Sequence, residues 1–339
     1  MIPTTEVSSG VQDALLVYLA LLSILLVIGV ILRLKVPFLK KYYIPASLIA
    51  GFIGLLLGPY FIGLIPKHIT SAWSGLSGRL IVLVFAPMLM GKKKRNLKQF
   101  ARKAFNATCY AYLGCFMQYA VPLLLTILIF TPLFKVNPLF GTTLEEGWAG
   151  GHGTAAGMLA VFEELGWAEG QSLAVTNATF GLLFGIFGGI ILINIGARKG
   201  WAKFLQADAG KMSIENKEVE LYTEDRPVDT TRSISPQVID NFAFHAAILG
   251  IVVFLGWILN KALKTYLNFS VSWFVTAMFA GLLVQKILNL TKWGDAIDMK
   301  VMSRIQGISL EFLIAGAVAS LNVSVVIAYA VPLIIANLV

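Results

Sequence analysis

The chain has 339 residues, of which 57% are hydrophobic and only 13% are charged, with a formal net charge of +9. An average soluble protein carries about 25% charged residues, so this composition argues against a soluble enzyme, a nucleic-acid-binding protein and a disordered chain. The two cysteines, Cys109 and Cys115, lie in one apolar run and fit neither a disulfide framework nor a zinc site. The composition predicts an all-α polytopic membrane protein.

Apolar runs follow one another along the chain, and a helix needs about 20 such residues to cross a bilayer. We predict nine spans: residues 14–32, 42–66, 71–91, 104–134, 170–197, 241–260, 265–285, 305–320 and the run that ends at 339. The last run passes a turn-like Asn322. The stretch 147–162 has only 16 residues, with five glycines and a histidine, and is not counted as a span.

The basic residues indicate the orientation, because cytoplasmic loops are enriched in Lys and Arg. If residues 147–162 form a re-entrant loop, the segments that lie inside carry 22 of the 27 basic residues: 33–41, 92–103, 198–238 and 286–304. If the stretch crossed instead, the loop 198–238 with its seven basic residues would lie outside. We therefore predict a re-entrant loop, an N-terminus outside, and basic residues that face anionic lipid rather than nucleic acid.

The long hydrophilic segment 198–238 is predicted to be a cytoplasmic linker between two repeats, residues 14–197 and 239–339. Because the first half has an odd number of spans, the halves have opposite orientations, as in inverted-repeat secondary transporters. Residues 76–86 can be laid over 305–315, and residues 44–57 can be laid over 270–283. The first overlay places Gly78 on Gly307 and Ala86 on Ala315. This match is only consistent with a repeat, because membrane helices resemble one another.

The most informative segment is EGWAGGHGTAAG, at residues 146–157. Its four glycines between 147 and 153 disfavour a regular helix, so we expect unwound backbone there, followed by a half-helix at 154–165. Unpaired backbone groups at membrane depth are tolerated only where protein or a water-filled cavity receives them. Such carbonyls can bind Na⁺, and a half-helix start can face a carboxylate. A tight turn that merely lets helices pack closely is the alternative.

Four motifs resemble the sodium/glutamate symporter family of bacteria: AGGHGTAA at 149–156, AVTNATFG at 174–181, KKYYIP at 40–45 and MQYA at 117–120. The resemblance implies two inverted halves of five spans, each with a Gly-Gly-x-Gly re-entrant loop. It implies an inner-membrane homodimer that takes up glutamate with Na⁺, without catalytic activity and without a cofactor beyond the coupling ion. The second half stops in its fourth span without such a loop, so we expect an incomplete second repeat.

The candidate substrate-binding residues are Gly150, Gly151, His152, Gly153, Thr154, Ala155 and Asn177. The glycines would expose backbone, and Thr154 and Asn177 would supply side-chain oxygens. For His152, the alternative is a hydrogen bond that only fixes the loop.

The candidate ion-binding residues are Gly151, Thr176, Asn177, Thr179 and Glu311. Polar groups in hydrocarbon seek partners, and the glycine-rich loop is the obvious partner for this patch of the fifth span. A charge such as Glu311 at the bilayer centre costs at least about 2.5 kcal/mol, which favours a functional role. The alternative for Glu311 is an ion pair with Arg304.

These features predict a Na⁺-coupled symporter for an acidic amino acid, most simply glutamate, that works by alternating access. Two alternatives stay open. One is a transporter of another organic anion, or with another coupling ion, on the same scaffold. The other is a truncated copy that does not transport. A membrane enzyme is disfavoured, because the sequence has no HExxH motif and no clustered acids within its spans.

Overall fold

The computed structural model describes residues 8–41, 44–91, 97–201, 233, 235, 237–269 and 271–339. The described residues form helices joined by turns and short irregular segments, and none of them forms a strand. The main helices are α1 (Ser9–Lys35), α2 (Ala46–Leu57), α3 (Lys67–Phe85), α4 (Leu97–Leu125), α5 (Thr142–Trp148), α6 (Gly151–Gly157), α7 (Leu159–Glu164), α8 (Glu169–Arg198), α9 (Asn241–Leu267), α10 (Trp273–Leu288), α11 (Met299–Ala319), α12 (Val323–Ala328) and α13 (Ala330–Leu338). Most of the predicted linker at 198–238 lies outside the described residues.

The hydropathy of the helices confirms the prediction of an all-α polytopic membrane protein. Four stretches in the described part of the chain are long and apolar enough to cross a bilayer: Ser9–Lys35, Ala104–Phe134, Asn241–Leu267 and Met299–Ala319. The helices α2 and α10 are shorter and also apolar. The span predicted at 42–66 is too long, because α2 ends at Leu57, where Gly58 adopts extended backbone and Pro59 follows. The turn predicted at Asn322 is present, and its side chain accepts from the Val325 amide to cap α12.

The two halves of the chain pack in a reciprocal pattern. Helix α1 packs on α2 as α9 packs on α10, and α2 packs on α11 as α10 packs on α3. The helices α3 and α11 pack on each other in antiparallel register. Two hydrogen bonds fix that register, one from the Ser77 hydroxyl to the Leu313 carbonyl (3.0 Å) and one from the Gln306 amide to the Val84 carbonyl (2.6 Å).

Close contacts at two glycines show the same reciprocal packing at the level of single residues. A side chain at Gly51 of α2 would lie 3.1 Å from the carbonyl oxygen of Ala315, and one at Gly281 of α10 would collide with the carbonyl oxygen of Ala86. Mutual contacts of this kind are what a two-fold relation between two units produces. The glycine contacts pair Ala86 with Ala315, as the sequence overlay does. They pair Gly51 with Gly281, whereas the overlay pairs Gly51 with Ala277, one helical turn earlier in α10. The internal repeat stays a prediction, which these contacts support.

Hydrogen bonds show that the chain before and after α5–α7 shares one end of the bundle. The Ser74 hydroxyl, in the first half of α3, bonds to Gln171 at the start of α8 (3.1 Å). At the same end, Tyr60 donates to Asn322 (2.8 Å). At the opposite end, the amide of Gly91 donates to Gln285 (2.8 Å). If α5–α7 crossed the bundle, each pair would be split between opposite ends. These contacts therefore support the prediction of a re-entrant loop, and we refer to α5–α7 as the hairpin.

A bend in α4 positions the start of this hairpin. Pro122 lies inside α4, and a wider π-helical turn, Thr126–Phe130, follows it. The Thr126 hydroxyl donates to the Pro122 carbonyl at 2.7 Å. The returning chain lies against the bend so closely that a side chain at Gly141 would sit 2.6 Å from the amide nitrogen of Leu123. The chain that leads into the hairpin therefore packs against α4, a helix that is otherwise largely exposed.

Candidate functional site

The break in the hairpin is confined to Ala149 and Gly150, between α5 and α6. The amides of both residues donate to the carbonyl of Glu145, each at 3.0 Å, which ends α5. Gly151 then takes a positive φ of 70°, a conformation that favours glycine, and opens α6. The expectation of unwound backbone over 147–153 was therefore too wide. The second arm starts at Gly151 rather than Thr154 and is interrupted at Met158.

Gly147 stays helical because it lies where α5 crosses α8. A side chain there would sit 2.6 Å from the carbonyl oxygen of Ala174 and 2.6 Å from Cβ of Asn177. The glycine thus lets two helix backbones touch, as small residues do at helix crossings in membranes. The tight-packing alternative explains this glycine, whereas the chain reversal explains Gly150 and Gly151.

A buried polar network, formed by Thr143, Trp148, Asn177 and Asn337, ties the first arm to α8 and to α13. The Asn177 side chain donates to the Thr143 hydroxyl (2.9 Å) and accepts from the Asn337 amide (2.7 Å). The Trp148 indole donates to the Asn337 oxygen at 2.7 Å. The Asn337 amide also donates to the Leu333 carbonyl (2.8 Å). Each asparagine therefore uses both its oxygen and its amide, which fixes its orientation.

His152 connects the second arm to α8. Its Nε2 lies 3.1 Å from the Thr179 hydroxyl, which in turn donates to the Val175 carbonyl at 3.2 Å. Because a hydroxyl has one proton, these two bonds form together only when Nε2 of His152 carries a proton and donates it to Thr179. The loop-fixing alternative for His152 is therefore the one that the hydrogen bonds support.

Small residues hold the second arm against α3. A side chain at Gly153 would meet Cδ1 of Ile81 at 2.8 Å, and one at Gly78 would lie 3.1 Å from the carbonyl oxygen of Ala156. Ala155, a candidate for substrate contact, is fully buried in the hydrophobic core. This arm thus depends on close packing, with the His152–Thr179 bond as its polar attachment to α8.

The other candidates from the sequence are not gathered at one point. The Thr176 hydroxyl donates to the Ser172 carbonyl of its own helix at 2.7 Å. Glu311 is exposed on α11, although its neighbour Leu310 approaches Gly153. Thr154 is half-buried beside Gly150, and its hydroxyl forms no hydrogen bond to any residue that the structure describes. Of the predicted ion ligands outside the hairpin, Asn177 and Thr179 form hydrogen bonds to it.

Sequence reasoning missed four residues of this region: Thr143, Glu146, Trp148 and Asn337. A signal existed for Asn337, because a lone amide within the apolar run 325–339 needs a partner. Glu146 is the first residue of the segment 146–157, but it was not named among the candidate binding residues. Its side chain is in fact 5% exposed.

A cavity of about 400 Å³ lies beside the polar network. Its polar lining consists of Gln118, Trp148 and Asn337, and its other lining residues are apolar: Met117, Val121, Pro122, Leu144, Phe184, Ala336, Leu338 and Val339. None of these lining residues is cationic. The cavity by itself therefore does not suit an acidic amino acid, whose two carboxylates need positive partners.

The described helices form an all-α polytopic membrane protein that contains an interrupted hairpin with buried polar partners. The chain matches the sodium/glutamate symporter family over residues 13–339 and belongs to this family. The match covers nearly the whole chain and confirms the resemblance seen in the four motifs. It is a family of transporters rather than enzymes. Comparison with curated proteins and with solved structures finds no significant match.

Proposed function

We propose that this chain couples Na⁺ to the uptake of an acidic amino acid, with glutamate as substrate, by alternating access. Membership of the sodium/glutamate symporter family supports the substrate and the ion. The observation that carries the proposal is the hairpin itself, which interrupts its helix at Ala149 and Gly150 between two short helices, α5 and α6, that both pack on α8. Interrupted helices of this kind carry substrate and ion sites in secondary transporters.

The reciprocal packing of the two halves supports the mechanism. In inverted-repeat transporters, one unit moves against the other around a fixed site. Here α3 and α11 form the crossing between the halves, and α6 rests on both. The proposal also includes an inner-membrane homodimer with its N-terminus outside, and a predicted substrate contact by Gly150, Gly151, Gly153 and Thr154.

The test is uptake of radiolabelled L-glutamate by the purified full chain in proteoliposomes. We expect accumulation under an inward Na⁺ gradient and only background uptake when choline replaces Na⁺. Aspartate and a neutral amino acid, added as competitors, define the substrate class. Uptake that is indifferent to Na⁺, or competition only by other organic anions, would favour another transporter on the same scaffold. Absence of any solute flux would favour a copy that does not transport.

Substrate contact at the hairpin can be tested with a thiol. Ala149 is exposed at the break, so Ala149→Cys should react with a maleimide once Cys109 and Cys115 are replaced by serine. We expect glutamate with Na⁺ to slow this reaction. Equal reaction rates with and without glutamate would separate the hairpin from the substrate site.

A further inference from the structure

Glu146 is a buried acid in the first arm of the hairpin. Its side chain is 5% exposed, and its Oε2 atom is buried without a hydrogen-bond partner among the residues that the structure describes. An ionised carboxylate away from water is strongly unfavourable unless it is paired or bound to a cation. The described protein atoms therefore leave one oxygen of this group uncompensated.

The position of Glu146 in α5 increases the negative potential around it. Glu146 lies in the last turn of α5, where helix carbonyls carry partial negative charge. The Gly150 amide donates to the Glu145 carbonyl and so does not take the carbonyl of Glu146. That carbonyl oxygen lies directly beside Gly150, where any side chain would collide with it. At the hairpin break, one residue thus carries a carboxylate and a main-chain oxygen that has no backbone donor among the residues that the structure describes.

The side chains that the structure describes on the elements packed against α5 include no lysine or arginine to offset this charge. The elements packed on α5 are α4, α6, α8, the short helix Pro138–Gly141 and, through the bond between Trp148 and Asn337, α13. Glu145 and Tyr119 are the titratable groups that lie against Glu146, and the Thr142 hydroxyl bonds to its carboxylate. Helix α8 carries charged residues only at its two ends, Glu169 and Arg198. In the described chain no ion pair reaches Glu146, and its sequence neighbour adds a second acid.

We propose that the Glu146 carboxylate binds Na⁺ and that main-chain carbonyl oxygens at the end of α5 are further ligands of the same ion. Helix C-terminal carbonyls are known Na⁺ ligands at interrupted helices. Na⁺ compensates both the carboxylate and these carbonyls, whereas a proton neutralises only the carboxylate. The inference rests on the proposed function, because it takes Na⁺ as the coupling ion.

The test measures the thermal stability of the purified full chain as NaCl replaces choline chloride at constant ionic strength. A ligand that binds only the native state stabilises it by RT ln(1 + c/Kd), where c is the ligand concentration, so the Na⁺ concentration at which the stability begins to rise reports the affinity. We expect Glu146→Gln to weaken the apparent Na⁺ affinity at least about tenfold, because the variant keeps the side-chain shape but loses the charge. The matched control is Glu145→Gln. It removes a carboxylate charge from the neighbouring residue, which is only half-buried. We expect it to change the affinity less than about twofold.

A second measurement does not depend on how well a variant folds. In the wild-type protein, protons compete with Na⁺ for a carboxylate ligand. We therefore expect the Na⁺ affinity to fall by up to about tenfold per pH unit in the range where the carboxyl takes up its proton. An affinity that stays flat with pH would overturn the proposal, as would an unchanged affinity in Glu146→Gln. Stability that responds to pH but not to Na⁺ would also overturn it and assign a proton only.

Failure of this inference is distinguishable from failure of the proposed function. If Glu146→Gln retains Na⁺-driven glutamate uptake with the wild-type dependence on Na⁺, the ligand assignment is wrong and the symporter stands. If the wild-type protein binds Na⁺ through Glu146 but does not take up glutamate, the ligand assignment stands and the proposed function is wrong.

Discussion

The two arms of the hairpin are held by different forces. The first arm, α5, is joined to α8 and α13 by directional hydrogen bonds of the buried polar network. The second arm, α6, lies against α3 through glycines and alanines, with one bond from His152 to α8. Hydrogen bonds fix one geometry, whereas packing of small residues needs only a complementary surface. The comparison indicates that the first arm has one defined position and that the second arm tolerates small shifts.

The largest effect on stability is expected at Gly147, where the backbones of α5 and α8 cross. We expect Gly147→Ala to destabilise the protein by about 2–3 kcal/mol, because the new methyl group meets main-chain atoms of α8 that cannot move singly. Denaturation of the purified protein in mixed micelles measures the loss. Gly185→Ala is the control, since a side chain there has open space on the same helix α8. Equal stability of the two variants would refute the crossing.

Removing an amide from the polar network should have a smaller effect. Asn337→Leu leaves the Trp148 indole and the Asn177 oxygen without their partner, at a cost of about 1–2 kcal/mol. A double-mutant cycle with Asn177→Ala isolates the coupling, because the two substitutions together should cost less than their sum. Additive losses would show that the network does not act as a unit.

The smallest effect is expected in the second arm. Gly153→Ala meets only Cδ1 of Ile81, the end of a flexible side chain, so the loss should stay below about 1 kcal/mol. Adding Ile81→Val removes that carbon and should restore the stability. The same micelle assay applies. A loss as large as that of Gly147→Ala, without recovery, would erase the difference between the arms.

The sequence predicted the fold class well because hydropathy and charge distribution act at the scale of whole spans. The re-entrant loop at 147–162, which glycine content and the distribution of basic residues both predict, stays a prediction. The length of the non-helical segment was not predicted correctly, because helix propensity assigns the same value to every glycine. Gly147 remains helical for a reason that only the neighbouring backbone of α8 supplies.

Long-range polar partners were the other part that the sequence could not provide. Asn337 lies 160 positions from Asn177, and no local pattern joins them. The overlay of the two halves was similarly limited. It paired Ala86 with Ala315, but it was one helical turn away from the match between Gly51 and Gly281, because apolar helices align almost equally well in several registers.

The bend of α4 gives the hairpin a mechanical link to the bilayer. Leu124, Leu128 and Leu133 of this stretch are exposed, so its tilt follows the thickness of the surrounding hydrocarbon. Because Gly141 sits in the bend beside Leu123, a change of tilt moves the first residues of the hairpin with it. Reconstitution in lipids of graded acyl-chain length should therefore alter the rate of the maleimide reaction at Ala149→Cys, even without any solute.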